Sequence, residues 1–311
     1  MTISIRPATE ADLPTFVEIR NTVTPDWSMS LEEIAWSERT YPGGVRLLAD
    51  LDGRPVGAAN AGRIFMHPPD HPYWWAEITV LDDARRRGAA SALLAEISRL
   101  ARDAGKKGLQ GPVSEARPDS VAFLRRRGFT EHERSKTVRL ELGMLPPVAP
   151  ALPDGIRFAT LAERPELVEG VHRVALEALV DIPGGEPVTV GDLEEFRARD
   201  VDRPGVRPDG FFVALSGDEA VGYASILVES GRPGFGVHDM TGVRRAWRGR
   251  GIATALKRAT IEWARAAGLE ALETGNDIDN APMRAVNARL GYQPLPDILI
   301  MRGPLVEPPP P

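Results

Sequence analysis

TGVRRAWRGRGIATALKRATIEWARAAG, residues 241–268, decides the fold because the chain contains it twice. Its other form is ITVLDDARRRGAASALLAEISRLARDAG, residues 78–105. The two align without a gap at an offset of 163, which sets Val80 on Val243, Arg85 on Arg248, Gly88 on Gly251, Ala90 on Ala253 and Gly105 on Gly268. The same offset brings Leu-Arg-Arg-Arg-Gly-Phe (124–129) onto Asn-Ala-Arg-Leu-Gly-Tyr (287–292). Self-similarity of this kind marks a duplicated structural unit. The openings echo as well, Ile5-Arg6-Pro7-Ala8-Thr9 resembling Ile156-Arg157-Phe158-Ala159-Thr160 at an offset of 151. The second copy is therefore longer between its opening and its motif.

Working outward, the copies span residues 1–144 and 156–306, joined by the proline-rich linker 145–155 and followed by the proline-rich tail 307–311. Such linkers are semi-rigid. Each copy opens with a strand and two helices. In the first, Thr9-Glu10-Ala11-Asp12 is a capping signal ahead of Leu13, Phe16 and Ile19. Two strands then flank a turn, Asp52-Gly53 in one copy and Gly217-Asp218 in the other. A third strand leads through the glycine turn into a long helix, in which Leu93, Leu94, Ile97 and Leu100 recur at helical period. The expected fold class is α/β: two tandem domains, each a mixed, mainly antiparallel sheet flanked by helices.

Composition removes several kinds of chemistry. The 311 residues include no cysteine, so disulfides, thiolate metal sites and an acyl-cysteine intermediate are excluded. The five histidines are scattered without HExxH spacing, and no metal is expected. No apolar run approaches a membrane span, and the N-terminus lacks a signal-peptide pattern, so the expected location is the cytoplasm with no membrane partner. Net charge is −6. Residues 1–144 carry 20 basic and 20 acidic side chains, leaving 18 and 24 beyond them. This acidic second half argues against nucleic acid as a partner. The stretch 166–202, which should wall the acceptor side, holds ten acidic and three basic residues. It favours a cationic amine, or is simply a solvated acidic surface.

Arg248-Gly249-Arg250-Gly251-Ile252-Ala253 lies between a strand ending at Val243 and the long helix. Glycines permit tight turns and close backbone approach. The first N–H groups of the helix lack intrahelical partners, and the helix dipole adds positive potential. A pyrophosphate suits such a site. Alone, the pattern also describes a tight turn with arginines in solvent. With the order of strands and helices around it, however, Arg248-x-x-Gly251-x-Ala253 resembles the acetyl-CoA motif of the GNAT N-acetyltransferase superfamily. The likeness extends through Thr274-Gly275-Asn276, Asn280, Met283, Asn287 and Leu290-Gly291-Tyr292. The two-copy layout resembles that of tandem members such as mycothiol synthase, in which the C-terminal copy works.

The resemblance implies acetyl-CoA as cosubstrate. It implies backbone pairing of Thr241, Gly242 and Val243 with the pantetheine arm in the manner of an added strand, and a splayed gap between that strand and 271–276. Asn276, Asn280 and Asn287 would line the thioester end, with Asn280 as a helix cap, a CoA contact, or both. In many members a tyrosine general acid occupies the position of Asn287. In the first copy Val80, Arg85, Gly88 and Ala90 keep the phosphate turn, but Asn276, Asn280 and Asn287 become Val113, Arg117 and Leu124. Impaired catalysis is expected there. The base candidates are His238 and Asp239, which strand alternation puts on opposite faces. The expected function is acetyl transfer to a small-molecule primary amine by direct attack in a ternary complex. The alternatives are transfer to the amine of a cysteine conjugate and a non-catalytic acyl-CoA-binding regulator. A monomer and a homodimer are both compatible with the sequence.

Overall fold

A computed structural model describes residues 2–144, 152–183, 186 and 188–307. The first copy runs β1 (Ile3–Pro7), α1 (Leu13–Val23), α2 (Leu31–Thr40), β2 (Val45–Leu51), β3 (Arg54–Arg63), β4 (Tyr73–Val80), α3 (Ala89–Asp103), β5 (Gly108–Ser114), α4 (Pro118–Arg125) and β6 (Thr130–Glu141). The second runs β7 (Arg157–Thr160), α5 (Val168–Ala178), α6 (Leu193–Phe196) with a π-turn at Arg197–Val201, β8 (Phe212–Ser216), β9 (Glu219–Val228), β10 (Phe235–Val243), α7 (Ile252–Ala266), β11 (Ala271–Asp277), α8 (Ala281–Arg289), β12 (Gln293–Pro294) and β13 (Ile298–Pro304).

The duplication is visible in small devices. The Asp12 carboxylate accepts from the Thr9 N–H at 2.8 Å, and Glu163 accepts from the Thr160 N–H at 2.9 Å, so both openings are fixed alike. Asp52 and Gly53 both have positive φ, at 50° and 85°, as a two-residue hairpin loop of inverted twist requires. Ser216 stands opposite Glu219, closing the second hairpin over Gly217-Asp218. Among the described residues, no helix is long and apolar enough to cross a membrane.

The described chain forms two compact units, Met1–Arg134 with Pro296–Pro311, and Ser135–Leu295. In the first, the strand order is β1-β2-β3-β4-β5-β13, antiparallel except for β4 with β5. One face packs under α3 through Leu93, Leu94 and Ile97, and the other carries Phe16, Ile19 and Ile34 of α1 and α2. In the second unit the order is β7-β8-β9-β10-β11-β6, antiparallel except for β10 with β11, and β12 pairs with β6. Val171, Val174 and Phe196 of α5 and α6 cover one face, and Ile252 and Leu256 of α7 cover the other.

These units depart from the boundaries expected at 144 and 306. From Ser135 onward β6 pairs with β11, Ser135 opposite Asp277 through Glu141 opposite Ala271. The strand that pairs with β5 is β13, Ile298 opposite Ser114 through Pro304 opposite Gly108. Each copy's last strand thus completes the sheet containing the other copy's strands, and the units divide after Arg134 and Leu295. Residues 145–151 of the expected linker and 308–311 of the tail lie outside the described residues.

Candidate active site

The second unit's parallel ladder is short. It runs from Phe235 opposite Ala271 to Val237 opposite Glu273, while β10 continues to Val243 and β11 to Asp277. Beyond Val237 no β10 residue pairs with β11, so the two strands part where the resemblance implies a gap. Thr274 spans the apex of the split, its hydroxyl donating to the His238 carbonyl at 3.0 Å. On its other edge β10 pairs with β9, but the register shifts between His238 (opposite Ile226) and Thr241 (opposite Ala224). This is a one-residue bulge. Bulges re-aim side chains and free backbone groups from the ladder. The Met240 N–H turns to the Ser225 hydroxyl at 3.3 Å.

The first unit differs at this place. β4 pairs with β3 in unbroken register from Arg63 opposite Trp74 to Gly57 opposite Val80. Its parallel ladder with β5 also ends after three pairs, at Trp75 and Gln110. There the strands stay close, because a Cβ on Gly111 would lie 2.0 Å from the Ala76 carbonyl. Ladder position makes Ala76 the counterpart of His238 and Gly111 that of Thr274. The bulge therefore changes the repeat offset from 162 before it to 163 after it.

The glycine turn before α7 has left-handed backbone at both of its glycines. Gly249 and Gly251 adopt φ of 75° and 81°, and Gly251 is the N-cap of α7. The Arg248 Nε donates to the Val243 carbonyl at 2.9 Å, tying the turn to the end of β10. Arg250 stacks over Trp247, 4.7 Å from its ring centroid. Ile252 and Ala253 form the first turn of α7, where backbone N–H groups point out of the helix end. Asp181, shortly after α5, pairs with Arg248 at 2.7 Å and also with Arg245. Its carboxyl is held down to about 2, first by hydrogen bonding to Arg245 and then, after an opposing contribution from burial, by Arg248.

The first copy repeats much of this turn. Arg85 donates to the Val80 carbonyl at 3.4 Å, and Gly88 caps α3 with φ of 96° ahead of Ala89 and Ala90. Arg86 takes a φ of 63° where the second copy has Gly249.

His238 and Asp239 do lie on opposite faces. Asp239, beside the bulge, is 3.7 Å from the Arg203 guanidinium on the side of α5 and α6. Asp200, in the π-turn after α6, lies in the same neighbourhood and pairs with Arg199 at 3.0 Å. Its carboxyl is pushed up by burial; Arg199 opposes this and the negative charge of Asp239 adds to it. Tyr223 completes the group, and burial raises its phenol well above the ordinary value. His238 is enclosed on the α7 side, with its ring nitrogens engaged by Tyr292 and Thr260. Burial, and secondarily Lys257, push its imidazole well below the ordinary value. A ring held in this way faces neither Asp239 nor the acceptor side.

The asparagines meet in part. Asn280 caps α8, its side chain accepting from the Met283 N–H at 3.3 Å. Asn287 is buried and donates to the Asn276 side chain at 2.6 Å. It thus braces Asn276 on β11. Thr241, Gly242 and Val243 pair with Ala224, Tyr223 and Gly222 of β9, leaving their opposite edge toward the split. Sequence reading did not single out Asp200, Tyr223, Lys257 or Thr260, and it quoted Thr274 without seeing its bond across the split. Substituting one copy's residues into the other would have flagged Lys257 and Thr260, which face Leu94 and Ile97 at the repeat offset.

A split parallel pair, a bulged strand and a glycine turn at a helix N-terminus thus lie along one strand, β10, and its exit into α7. The chain matches the acetyltransferase (GNAT) family twice, over residues 13–129 and 175–292. A mycothiol acetyltransferase of Catenulispora acidiphila is 31% identical over 222 residues, covering 70% of this chain and 68% of that protein. One from Mycobacterium avium is 32% identical over 219 residues, covering 67% of this chain and 65% of that protein. In fold, a tandem GNAT protein from the clavulanic acid biosynthesis pathway superposes with a TM-score of 0.78 at 22% identity, covering 98% of this chain and 99% of that one. A GCN5-related N-acetyltransferase from Sphaerobacter thermophilus gives 0.73 at 18% identity, covering 98% and 97%. The chain belongs to the GNAT family of acetyltransferases, as a tandem member carrying the fold twice.

Proposed function

We propose that the second copy transfers the acetyl group of acetyl-CoA to a small-molecule primary amine, in the cytoplasm, by direct attack in a ternary complex. The observation that carries this reading is the open edge of β10 beyond Val237, with the bulge at its apex and the Gly251 turn at its far end. Pantetheine would add to Thr241, Gly242 and Val243 as a strand, and the pyrophosphate would meet the N–H groups from Gly249 to Ala253. Asp239 takes the amine's proton as the nitrogen attacks the thioester carbon. The new N–C bond forms as the C–S bond breaks, and the CoA thiolate takes its proton from solvent. Positioning supplies much of the acceleration, and a backbone N–H beside the bulge stabilises the oxyanion.

The first copy keeps the phosphate turn but lacks both the bulge and the asparagines, which supports assigning catalysis to the second. A narrower reading of the acceptor, the amine of a cysteine conjugate, draws on the relatives' activity as mycothiol acetyltransferases. The test is release of CoA from acetyl-CoA against a panel of amines that includes cationic amines and cysteine-conjugated sugars. Turnover with at least one amine is expected, together with its near loss in Asp239→Asn. Tight acetyl-CoA binding without turnover on any amine overturns the enzyme reading in favour of a regulator.

A further inference from the structure

Beneath the apex of the split, on the α7 side, lie four polar side chains given no part in the steps proposed above. His238 and Lys257 are each 2% exposed, Thr260 0% and Tyr292 5%. Burying such groups is unfavourable unless they are hydrogen-bonded. The fold does not require them, because their counterparts in the first copy are Ala76, Leu94, Ile97 and Phe129, all packed in an apolar core. The polar set belongs to the copy with the bulge.

Its hydrogen bonds run in one direction. The Thr260 hydroxyl donates to the Lys257 carbonyl at 2.9 Å. A hydroxyl has one proton, so Thr260 accepts from His238, whose Nε2 carries the ring proton. Nδ1 of the neutral ring then accepts from the Tyr292 hydroxyl. The tautomer is fixed by this chain of partners. The Lys257 nitrogen lies 5.4 Å from the Tyr292 ring centroid. At the other end, the His238 carbonyl accepts from Thr274 at the first position beyond the parallel ladder, and the bulged residue Asp239 follows directly.

We propose that Tyr292, His238 and Thr260 form a clamp that fixes the backbone at the apex of the split, making them positioning residues for Asp239 and for the backbone N–H groups of the bulge. The clamp holds the His238 ring between α7, through Thr260, and the segment after α8, through Tyr292, so displacing the backbone at His238 strains both contacts. The catalytic part of this inference rests on the function proposed above; the mechanical part does not.

The test uses the full chain with Tyr292→Phe and Thr260→Val. Each removes one hydroxyl, and the apolar counterparts Phe129 and Ile97 occupy the same places in the first copy. Two quantities are read: hydrogen exchange at the amides of residues 239–241, and kcat against KM for acetyl-CoA. Exchange at those amides should speed up about 10-fold or more while that in α7 and β8 holds. Small misplacements near a reacting centre slow chemistry by roughly 10- to 100-fold, so kcat should fall on that scale with KM within about 2-fold of wild type. Thr260→Ser, which keeps the hydroxyl, should recover wild-type exchange. Unchanged exchange in both deletions overturns the clamp, whether or not the chain acetylates an amine. Faster exchange with unchanged kcat overturns its catalytic part. A wild-type protein with no turnover counts against the proposed function and leaves the exchange result to decide the clamp.

Discussion

At the scale of single residues, Lys257 is the most consequential buried charge. Burial pushes its ammonium down to about 7 from an ordinary value of 10.5. Between those values the unfolded chain holds a proton at this position that the folded chain gives up, so folding gains stability as pH rises from 7 toward 10.5. Below pH 7 both states hold the proton and the full penalty of burying the charge applies. A tenfold loss of proton affinity on folding corresponds to about 1.4 kcal/mol. Lys257→Leu, which installs the residue of the first copy, should therefore melt several degrees above wild type at pH 6, with the margin level up to about pH 7 and shrinking from there to pH 10. Calorimetry across that range checks it, and a margin that does not depend on pH would refute the assignment. Lys257 was readable in the sequence only by comparison with Leu94, because a lysine within a helix ordinarily reads as solvent-facing. Asp200 was less legible still. It approaches Asp239 through a π-turn, and irregular backbone carries no periodic pattern.

Among the elements, α7 and the turn before it were the most legible. A glycine pair between a strand and a helix leaves few alternatives, and both glycines take positive φ. No atom lies within 4 Å of a Cβ built on Gly251, so a side chain there meets backbone strain rather than a neighbour. Left-handed backbone costs an L-residue about 1–2 kcal/mol. Gly251→Val should leave a folded protein, melting a few degrees lower, that binds acetyl-CoA at least about 10-fold more weakly in isothermal titration. Wild-type affinity would refute the proposed site. The bulge in β10 escaped the sequence reading for a simple reason. The gapless repeat begins at residues 78 and 241, immediately after it, and the one-residue shift falls where the copies no longer resemble each other. Asn287 was read as lining the thioester end, and its bond to another asparagine was not foreseen. Its amide faces Asn276 across α8 and β11, a contact fixed by the packing of that helix.

For the whole molecule, duplication was legible and the exchange of last strands was not. Patterns along a strand report which face is apolar, and β6 and β13 both satisfy that requirement; they do not report which neighbour supplies the ladder. β13 closes the sheet of the first unit beside β5. Within that unit Arg134 pairs with Asp297 at 2.8 Å, and the Arg302 side chain reaches Gln110 at 2.9 Å. Removing residues 296–311 should therefore unfold the first unit, although that unit is encoded mainly by the opposite end of the chain. Limited proteolysis of the truncated protein should cut within residues 1–134 at least about 10-fold faster. Resistance equal to that of the full-length chain would contradict the strand exchange.

The exchange also sets an order on synthesis. Translation makes nearly all of the first unit early, yet the strand that covers β5 comes from residues 298–304, near the end of the described chain. Through the manufacture of the second copy, the nascent first unit carries an unpaired sheet edge, the kind of surface that recruits another strand. Domains usually finish folding in the order in which they leave the ribosome. Here the unit made first is the last to be completed, so a stalled or shortened product is an open template for aggregation.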